Sequence, residues 1–457
     1  MSNSKINFKS LEEVKKSIDS KSLKVCVIGI GRIGLPTALS FAKSGLQTIG
    51  VDINEKLIEK INSGVFPLKD EPGYDDIFKQ VLKEKTFSVT SKIEDAVPKC
   101  DLILLSLPTP MDEKNIPDYS ALISVAKNLS NILAPNSLVI VESTIEPGFI
   151  ENEMISLISN TNRLKVEDTF QIGVCPENAN PGEILHDFTN LPRLVGGINE
   201  NITQIIKLIY NYVFSVDLIE MPNCKTANAV KLTTNVFRDI NIAFVSELSL
   251  MFEKLGIDTM KVLEAAKMKY NFQIHYPGAG VGGPCLPINS YQLLNTAKRT
   301  GVKLNMIESG RLINEKMPQH VVELISDAFV ESNQTLENSK ILILGISYKP
   351  NVKDIQLSPA KIIIEKLQDL GVDVYLYDPF FKSTVVFGLE TQNNLEDILP
   401  KMDGAIIVTG HDDFKNISID SFSKMRHAVL VDTRGIIEPS VAKKEKIIFR
   451  GLGRGGF

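Results

Sequence analysis

The amino-acid sequence predicts an α/β protein in which two Rossmann-like parallel-sheet domains are joined by a central helical domain. Three observations lead to this fold class. Short apolar segments alternate with helical patterns in the first half of the chain, the same alternation returns near the C-terminus, and the stretch between them has no strand pattern. The predicted divisions are a lead-in at 1–23, a first sheet domain at 24–215, a helical domain at 216–330 and a second sheet domain at 331–457.

The lead-in and the overall composition predict a cytoplasmic protein. The first 23 residues are polar with mixed charge and lack the apolar core of a secretory signal, so they predict a short amphipathic helix or a frayed lead-in. The 457 residues carry a net charge of -5 and contain no apolar run of about 18 residues, which argues against nucleic acid and membranes as partners. Five widely spaced cysteines are typical of a reducing compartment, and they predict neither a disulfide framework nor a metal site.

Five apolar segments predict the strands of the first sheet. KVCVIG at 24–29 is apolar throughout, which is typical of a strand covered on both faces. The others are QTIGVD ending at Asp52, DLILLSLP at 101–108, NSLVIVES at 136–143 and FQIGVCPE at 170–177. Helical patterns separate these segments, as in a parallel sheet wrapped by helices.

A long helix and a second sheet follow. The stretch from KTANAV to FEKLG, at 225–256, repeats apolar residues at spacings of three and four over roughly nine turns, so it spans between domains or builds an oligomer interface. Four more parallel strands are predicted at 339–348, 372–379, 404–410 and 427–435.

The segment GIGRIG, at 29–34, predicts a dinucleotide site. It follows a buried strand, opens a helix, and precedes Asp52 by 18 residues, where an acidic side chain accepts hydrogen bonds from a ribose 2′-OH and repels a 2′-phosphate. This context favours NAD over NADP and over a plain glycine-rich turn, although Arg32 weakens the preference. The predicted cofactor-binding residues are Gly29, Gly31, Arg32, Ile33, Gly34, Asp52, Thr109 and Thr144, the two threonines lying where strands end.

Three further features are candidates for chemistry. Cys285 lies in HYPGAGVGGPCLPINS, a loop that brings bare backbone and one thiol close to a ligand, unless the thiol is merely a buried structural one. Lys231, Asn235 and Arg238 share a face of the long helix, where a lysine and an amide can stabilise one oxyanion, unless the face is simply solvated. Glu177 follows an apolar strand and a proline, and it is either a functional or a surface carboxylate.

Together these stretches resemble the UDP-glucose/GDP-mannose dehydrogenase family, nearest to its UDP-N-acetylmannosamine and UDP-N-acetylglucosamine 6-dehydrogenase branch. The resemblance covers nearly the whole chain from about residue 24. The matching segments are GxGxxGLP at 29–36, PTP at 108–110, EST at 142–144, CPE at 175–177, KLTxNxFRDINIAF at 231–244, PGxGVGGxCLP at 277–287, and YKPNVKD with SPA at 348–360.

The resemblance implies a four-electron oxidation of a sugar C6 alcohol to a carboxylate, with NAD as acceptor and a homodimer built on the central helix. Cys285 matches the nucleophile that carries a thiohemiacetal and then a thioester. Lys231 and Asn235 would stabilise the oxyanion, and Glu177 would serve acid/base steps. Implied substrate-binding positions are Asn178, Ala179, Lys231, Asn235, Arg238, Asn271, Gly282, Tyr348, Lys349 and Gln356.

The chain departs from the family at positions that matter for substrate binding and hydrolysis. Asn289 stands where the family has an aspartate that handles protons and water, and an amide cannot act as a base. Asn178 and Gln356 stand where the branch has arginines, and Lys269, Tyr270 and Asn271 replace a His-Pro-Arg stretch. A histidine before the nucleophile is Pro284 here. Several cationic anchors for phosphate or carboxylate are therefore absent.

Three hypotheses follow. The first is a cytoplasmic nucleotide-sugar 6-dehydrogenase that makes a uronic acid for surface polysaccharide or glycan, on UDP-ManNAc or UDP-GlcNAc, with UDP-glucose and GDP-mannose as alternatives. The second is an enzyme whose hydrolytic step is slowed or stopped by Asn289, unless a group such as Glu146 or Lys269 compensates. The third is a non-catalytic nucleotide-sugar-binding protein, which would have no physical need for Cys285, Lys231 and Glu177 together.

Overall fold

The computed structural model describes residues 6–161, 163–180 and 182–455, and it confirms the predicted α/β class. It contains two sheets dominated by parallel strands, with a helical region between them in the sequence. The chain divides into two compact units. Unit 1 is the chain up to Thr234 with Tyr291–Arg299, and unit 2 is Asn235–Ser290 with the chain from Thr300 onward.

The sheet of unit 1 has eight strands in the order β3-β2-β1-β4-β5-β6-β7-β8. All pairs are parallel except β6 with β7. The strands are β1 (Val25–Ile28), β2 (Thr48–Val51), β3 (Phe87–Thr90), β4 (Leu102–Leu105), β5 (Ser137–Val141), β6 (Phe170–Val174), β7 (Arg193–Gly197) and β8 (Leu218–Glu220). The strand order reverses between β1 and β4, and an open α/β sheet binds ligands at such a point, beyond the carboxyl ends of its strands.

Helices cover both faces of this sheet and bury its apolar strands in two separate cores. They are α1 (Leu11–Asp19), α2 (Gly34–Lys43), α3 (Glu55–Asn62), α4 (Tyr74–Glu84), α5 (Ile93–Ala96), α6 (Ser120–Ile132), α7 (Ile155–Ile158), α8 (Ile184–Asn190) and α9 (Glu200–Val213), with a 3₁₀ turn at Val97–Lys99 and a π-helical turn at Ile150–Met154.

Of the two structures predicted for the lead-in, the structure shows the helix. Ser10 caps the first helix, because its hydroxyl accepts a hydrogen bond from the Glu13 N–H at 3.3 Å. Val14 and Ile18 are buried in the first core, so the helix is held by packing. Residues 1–5 of the lead-in lie outside the described residues.

The chain between the sheets is helical, and the predicted long helix is confirmed. Its four helices are α10 (Cys224–Leu255), α11 (Thr259–Ala266), α12 (Leu286–Thr300) and α13 (Asn305–Glu331). The first of them has 32 residues. In the part of the chain that the structure describes, no helix has both the length and the apolar character needed to cross a membrane.

The sheet of unit 2 has seven strands in the order β11-β12-β10-β9-β13-β14-β15, antiparallel only at its β11–β12 edge. The strands are β9 (Lys340–Leu344), β10 (Asp373–Tyr377), β11 (Val385–Val386), β12 (Leu389–Gln392), β13 (Gly404–Ile407), β14 (Val429–Asp432) and β15 (Ile448–Gly451). The helices are α14 (Pro359–Asp369), α15 (Leu395–Ile398), α16 (Asp412–Lys415), α17 (Ile419–Ser423) and α18 (Pro439–Lys444), with a 3₁₀ turn at Leu399–Lys401.

Each of the nine predicted strand segments contains an observed strand, but the structure adds six strands that the sequence did not predict. These are β3, β7, β8, β11, β12 and β15. β8 and β11 have only three and two residues, too few to show a periodicity. β7 follows a proline, starts with a charged residue and ends in two glycines, so its composition hides a fully buried strand.

Candidate active site

The glycine loop of unit 1 has the geometry that a dinucleotide pyrophosphate needs. Gly29 directly follows β1 with φ +87°, a conformation that favours glycine, and a Cβ there would overlap the carbonyl oxygen of Ser106. A Cβ on Gly34 would overlap the carbonyl oxygen of Gly29, so helix α2 packs directly on the turn. A Cβ on Gly31 would meet nothing within 4 Å, so this side of the loop is open.

The first turn of α2 is available to an anion. Ile33 at its N-cap makes no side-chain capping bond, the Leu35 N–H donates to the Gly31 carbonyl oxygen at 3.1 Å, and Pro36 has no N–H, so the turn offers an anion the Gly34 N–H and the positive end of the helix dipole. Asp52, just after β2, accepts hydrogen bonds from the N–H groups of Ile30 at 3.1 Å and Asn54 at 3.0 Å. This carboxylate is therefore fixed beside the glycine loop, and the residues present fit NAD.

Arg32 is engaged by acidic side chains. Its guanidinium pairs with Asp70 at 2.7 Å and with the buried Glu71 at 3.0 Å. Glu71 also accepts hydrogen bonds from the N–H groups of Gly182 at 2.7 Å and Ile184 at 3.3 Å. The positive charge that weakened the preference for NAD is thus offset, and the glycine loop is tied to the segment that follows Glu177.

We expect Asp52→Asn to narrow the preference for NAD⁺ over NADP⁺ by about tenfold or more, because the amide removes the charge that repels a 2′-phosphate. The ratio of kcat/KM for the two cofactors measures the effect, and Asp19→Asn, at an exposed residue of α1, serves as the matched control. An unchanged ratio in Asp52→Asn would mean that Asp52 does not select the cofactor.

The two predicted threonines lie together. The hydroxyl of Thr109 donates a hydrogen bond to the carbonyl oxygen of Thr144 at 2.9 Å, and the Gln292 amide donates to the same oxygen at 3.1 Å. These bonds join the loop that follows β4, a strand at the reversal in strand order, to the loop that follows its neighbour β5. The threonines therefore shape the rim of the predicted cofactor site.

Glu177, Asn178 and Lys231 form one chain of contacts in unit 1. One Glu177 oxygen accepts hydrogen bonds from the N–H groups of Asn178 at 2.6 Å and Ala179 at 2.8 Å, and the other pairs with Arg193 at 2.7 Å. The Lys231 ammonium, which is largely buried, donates to the Asn178 side-chain oxygen at 2.9 Å. Asn178 thus offers a hydrogen-bond acceptor to the Lys231 ammonium. An arginine at position 178 would instead repel that ammonium.

Cys285 immediately precedes helix α12 in unit 2 and is exposed, whereas the other four cysteines are buried. The positive end of the helix dipole stabilises negative charge on a group at this place. One turn into the helix, the buried Asn289 accepts a hydrogen bond from the Asn235 amide at 2.6 Å. The amide at 289 therefore keeps the acceptor function that an aspartate would have toward Asn235, but it lacks the charge.

A buried polar cluster around Asp239 joins helices α10 and α12. Asp239 accepts hydrogen bonds from Ser290 at 2.7 Å, Arg311 at 2.9 Å and Asn314 at 2.8 Å. Burial raises the pKa of Asp239, and the nearby Arg311 opposes that shift. The cluster holds the residue next to Asn289 against α10.

The loop before Cys285 packs on the predicted nucleotide-sugar residues. Gly283 has φ +88°, and a Cβ there would lie 2.5 Å from the Tyr348 ring. Its N–H donates to the carbonyl oxygen of Gln356 at 3.0 Å, and a Cβ on Gly282 would overlap the Leu357 carbonyl oxygen. The structure therefore brings Gly282, Tyr348 and Gln356 to the Cys285 loop. Of the other predicted residues, Arg238 and Asn271 are exposed and Lys349 is half-buried.

Two arginines were missed by the sequence analysis. Arg193 opens a buried strand, and its charge inside an apolar segment was the available signal. Arg434 follows the carboxyl end of β14, and within the described ranges no carboxylate lies within ion-pair distance of its guanidinium. Burial lowers the pKa of Arg434, and Asp432 opposes that shift. The small pocket that it lines is also bounded by Ala279, Gly280, Tyr348, Pro350, Pro359, Val408 and Thr409.

Comparison with known proteins agrees with this architecture. The chain matches the NAD binding domain of the UDP-glucose/GDP-mannose dehydrogenase family over residues 23–214, its central domain over 225–316 and its UDP binding domain over 342–439. The chain therefore belongs to this family of NAD-dependent nucleotide-sugar dehydrogenases.

Relatives match over nearly their full length. The UDP-N-acetyl-D-mannosamine dehydrogenase of Pyrococcus horikoshii is 35% identical, over 95% of this chain and 100% of that protein. The UDP-N-acetyl-D-glucosamine 6-dehydrogenase of Salmonella typhi is 30% identical, over 91% of this chain and 96% of that protein. The solved structure of the Pyrococcus horikoshii UDP-D-ManNAc dehydrogenase superposes with a TM-score of 0.88 at 33% identity, covering 95% of this chain and all of that one.

Proposed function

We propose that the protein oxidises the C6 alcohol of a UDP-N-acetylhexosamine to a carboxylate through a covalent intermediate on Cys285. The observation that carries the proposal is the exposure of Cys285 at the start of α12, while every other cysteine is buried. A structural thiol would be buried in a core. An exposed thiol at a helix N-terminus, on a loop that contacts Tyr348 and Gln356, is placed as a nucleophile for a bound sugar.

The chain's own groups supply the covalent chemistry. The glycine loop and Asp52 would hold NAD, which would supply the hydride acceptor for the two oxidations. The Cys285 sulfur adds to the C6 aldehyde to give a thiohemiacetal, whose oxidation leaves a thioester. Water then adds to the thioester carbonyl, the C–S bond breaks, and the thiolate is restored. Lys231 and Asn235 would stabilise the oxyanion in these steps, and Glu177 would exchange protons with water.

The nucleotide and sugar are proposed from two sources. The named relatives act on UDP-ManNAc and UDP-GlcNAc, and both are candidates here. Arg434, half-buried and lining the pocket with Tyr348, would bind a phosphate or a base. It supplies a cation in a chain where Asn178 and Gln356 replace arginines of the branch.

A substrate panel tests the proposal. Purified protein with NAD⁺ is given UDP-GlcNAc, UDP-ManNAc, UDP-glucose or GDP-mannose, and NADH formation is followed by absorbance. We expect turnover with one of the two N-acetylhexosamines. Turnover only with UDP-glucose or GDP-mannose would overturn the substrate assignment, and nucleotide-sugar binding without NADH would favour a non-catalytic binding protein.

We further propose a cytoplasmic homodimer built on helix α10. Phe237, Phe244 and Met251 recur every seven residues on this helix, and Leu255 continues the row. These four side chains are 46–61% exposed, which is unusual for large apolar groups. A second copy of the same helix offers a matching apolar row, so a twofold pairing would bury both.

Phe244→Asp should convert the dimer to a monomer, because a charge at the centre of the apolar row is desolvated in the paired state. Light scattering after size exclusion measures the mass. Glu247→Gln, at an exposed polar residue one turn away, is the control and should remain a dimer. A dimer that survives Phe244→Asp would place the interface elsewhere.

A further inference from the structure

Arg193 is a buried cation packed against aromatic rings. It lies in β7 with an exposed fraction of 1%. The central carbon of its guanidinium is 3.9 Å from the ring centre of Phe214 and 4.3 Å from that of Phe188, and Tyr210 lies at 5.9 Å. The rings of Phe188 and Phe214 lie at 89° to each other, and two aromatic surfaces in this arrangement hold a guanidinium in one orientation and stabilise its charge away from water.

This guanidinium holds the Glu177 carboxylate. The two charged groups approach to 2.7 Å, and the Glu177 side chain is only 10% exposed. Because the other Glu177 oxygen accepts two backbone N–H groups, the carboxylate is fixed at three points. Few geometries satisfy all three contacts, so the position of Glu177 depends on where Arg193 lies.

A second carboxylate, that of Glu142, also interacts electrostatically with the Arg193 guanidinium. Glu142, just after β5, accepts a hydrogen bond from the Tyr210 hydroxyl at 2.7 Å, and burial raises the pKa of Glu142 to about 7. At neutral pH it is therefore partly protonated and competes only partly for the cation. The titratable groups that act on this cluster from neighbouring elements are Tyr74 on α4, Glu142 after β5, Cys175 after β6 and Tyr210 on α9.

Hydrolysis of the thioester needs a base, and position 289 supplies an amide. The water oxygen bonds to the thioester carbonyl carbon, the water proton is taken up, and the C–S bond breaks to release the thiolate and the carboxylate. In the proposed function, the Glu177 carboxylate takes up this proton. A base that is held in one orientation is more effective than a mobile one.

We propose that Arg193 is the positioning residue for Glu177, holding that carboxylate in one orientation for the hydrolytic half of the reaction. The inference rests on the proposed function. The rings of Phe188 and Phe214 allow the buried arginine to position Glu177, because they orient its guanidinium and shield its charge from water.

The test compares the wild-type protein with Arg193→Lys and Arg193→Met. Each variant is examined by steady-state kinetics and by intact mass of the protein quenched during turnover. For Arg193→Met we expect kcat to fall about 10- to 100-fold with KM for the sugar changed less than about threefold, because the carboxylate is no longer held in one orientation. Acylated Cys285 should accumulate, since hydrolysis slows more than oxidation.

Arg193→Lys keeps a positive charge, so it still tests the proposal if the Arg193→Met protein does not fold. It should lower kcat less than Arg193→Met does, yet still accumulate acyl-enzyme, because an ammonium lacks the planar fork that packs on the rings and reaches the carboxylate. The control for loss of a buried ion pair is Arg454→Met, whose guanidinium pairs with Asp258 at 2.7 Å.

The outcomes separate the two proposals. If the folded Arg193 variants lose thermal stability as Arg454→Met does but keep the wild-type kcat and acylation level, Arg193 has only a structural role and the inference is wrong. If the wild-type protein produces no NADH from any sugar of the panel, the proposed function itself has failed.

Discussion

Cys285→Ser should lower sugar-dependent NADH formation by about 10³-fold or more, because an alcohol at this position is a far weaker nucleophile than a thiol and forms no thioester. The exposed position of Cys285 at the start of α12 means that the substitution disturbs little packing. Thermal stability and NAD⁺ binding should therefore stay near the wild-type values. Activity is measured with the sugar that the panel identifies.

Cys224→Ala is the matched control. Its sulfur lies in a core of unit 1 and donates only a weak contact, at 3.5 Å, to the Gly196 carbonyl oxygen. It should lower stability while leaving kcat close to wild type. Alkylation by iodoacetamide should label Cys285 in the native protein, and the labelled protein should retain no activity. A Cys285→Ser protein with more than about a tenth of the wild-type rate would contradict covalent catalysis by this residue.

Lys231→Met should lower kcat by about 10²- to 10³-fold, the effect of removing one donor from an oxyanion site. Methionine keeps the length and apolar stem of the side chain, so the packing of α10 is largely preserved. The ammonium is held by the Asn178 oxygen, and its loss leaves that acceptor without this donor. Steady-state kinetics with saturating NAD⁺ measures the change.

Lys225→Met is the matched control, because Lys225 lies on the same helix, is exposed, and has no role in the proposed chemistry. Its kcat should equal that of the wild-type protein within a factor of about two. A Lys231→Met protein with wild-type kcat and a raised KM would mean that the lysine binds substrate without stabilising the reaction's charge.

The cofactor half of the molecule could be predicted because its signals are local. Gly29, Gly34 and Asp52 fall within one strand-turn-helix-strand unit, and both the left-handed turn and the close packing follow from residue type alone. The long helix was predicted for a similar reason, since its apolar period is unbroken over 32 residues.

What the sequence did not predict depends on contacts between distant residues. Arg193 acquires its role only when Phe188 and Phe214 enclose it and Glu177 meets it across the fold. The bond from Asn235 to Asn289 joins residues 54 positions apart. Local patterns carry no information about such pairs, and edge strands of two or three residues give no period to detect.

Arg434 shows how a signal can be present and still be missed. It follows the carboxyl end of a buried strand, a place where open α/β sheets bind ligands. Most arginines of the chain form ion pairs. The sequence alone does not distinguish Arg434 from them. Only the structure shows that burial lowers its pKa and that it borders a pocket with Tyr348.

The yield of NADH per sugar is the measurement that tests the account of a four-electron oxidation on Cys285. A limiting, known amount of the accepted nucleotide sugar is run to completion with excess NAD⁺, and the sugar product is identified by mass. We predict two NADH per sugar and a carboxylate product. A yield of one NADH with an aldehyde, or an acylated Cys285 that does not turn over, would contradict the account and would show that Asn289 ends the reaction before hydrolysis.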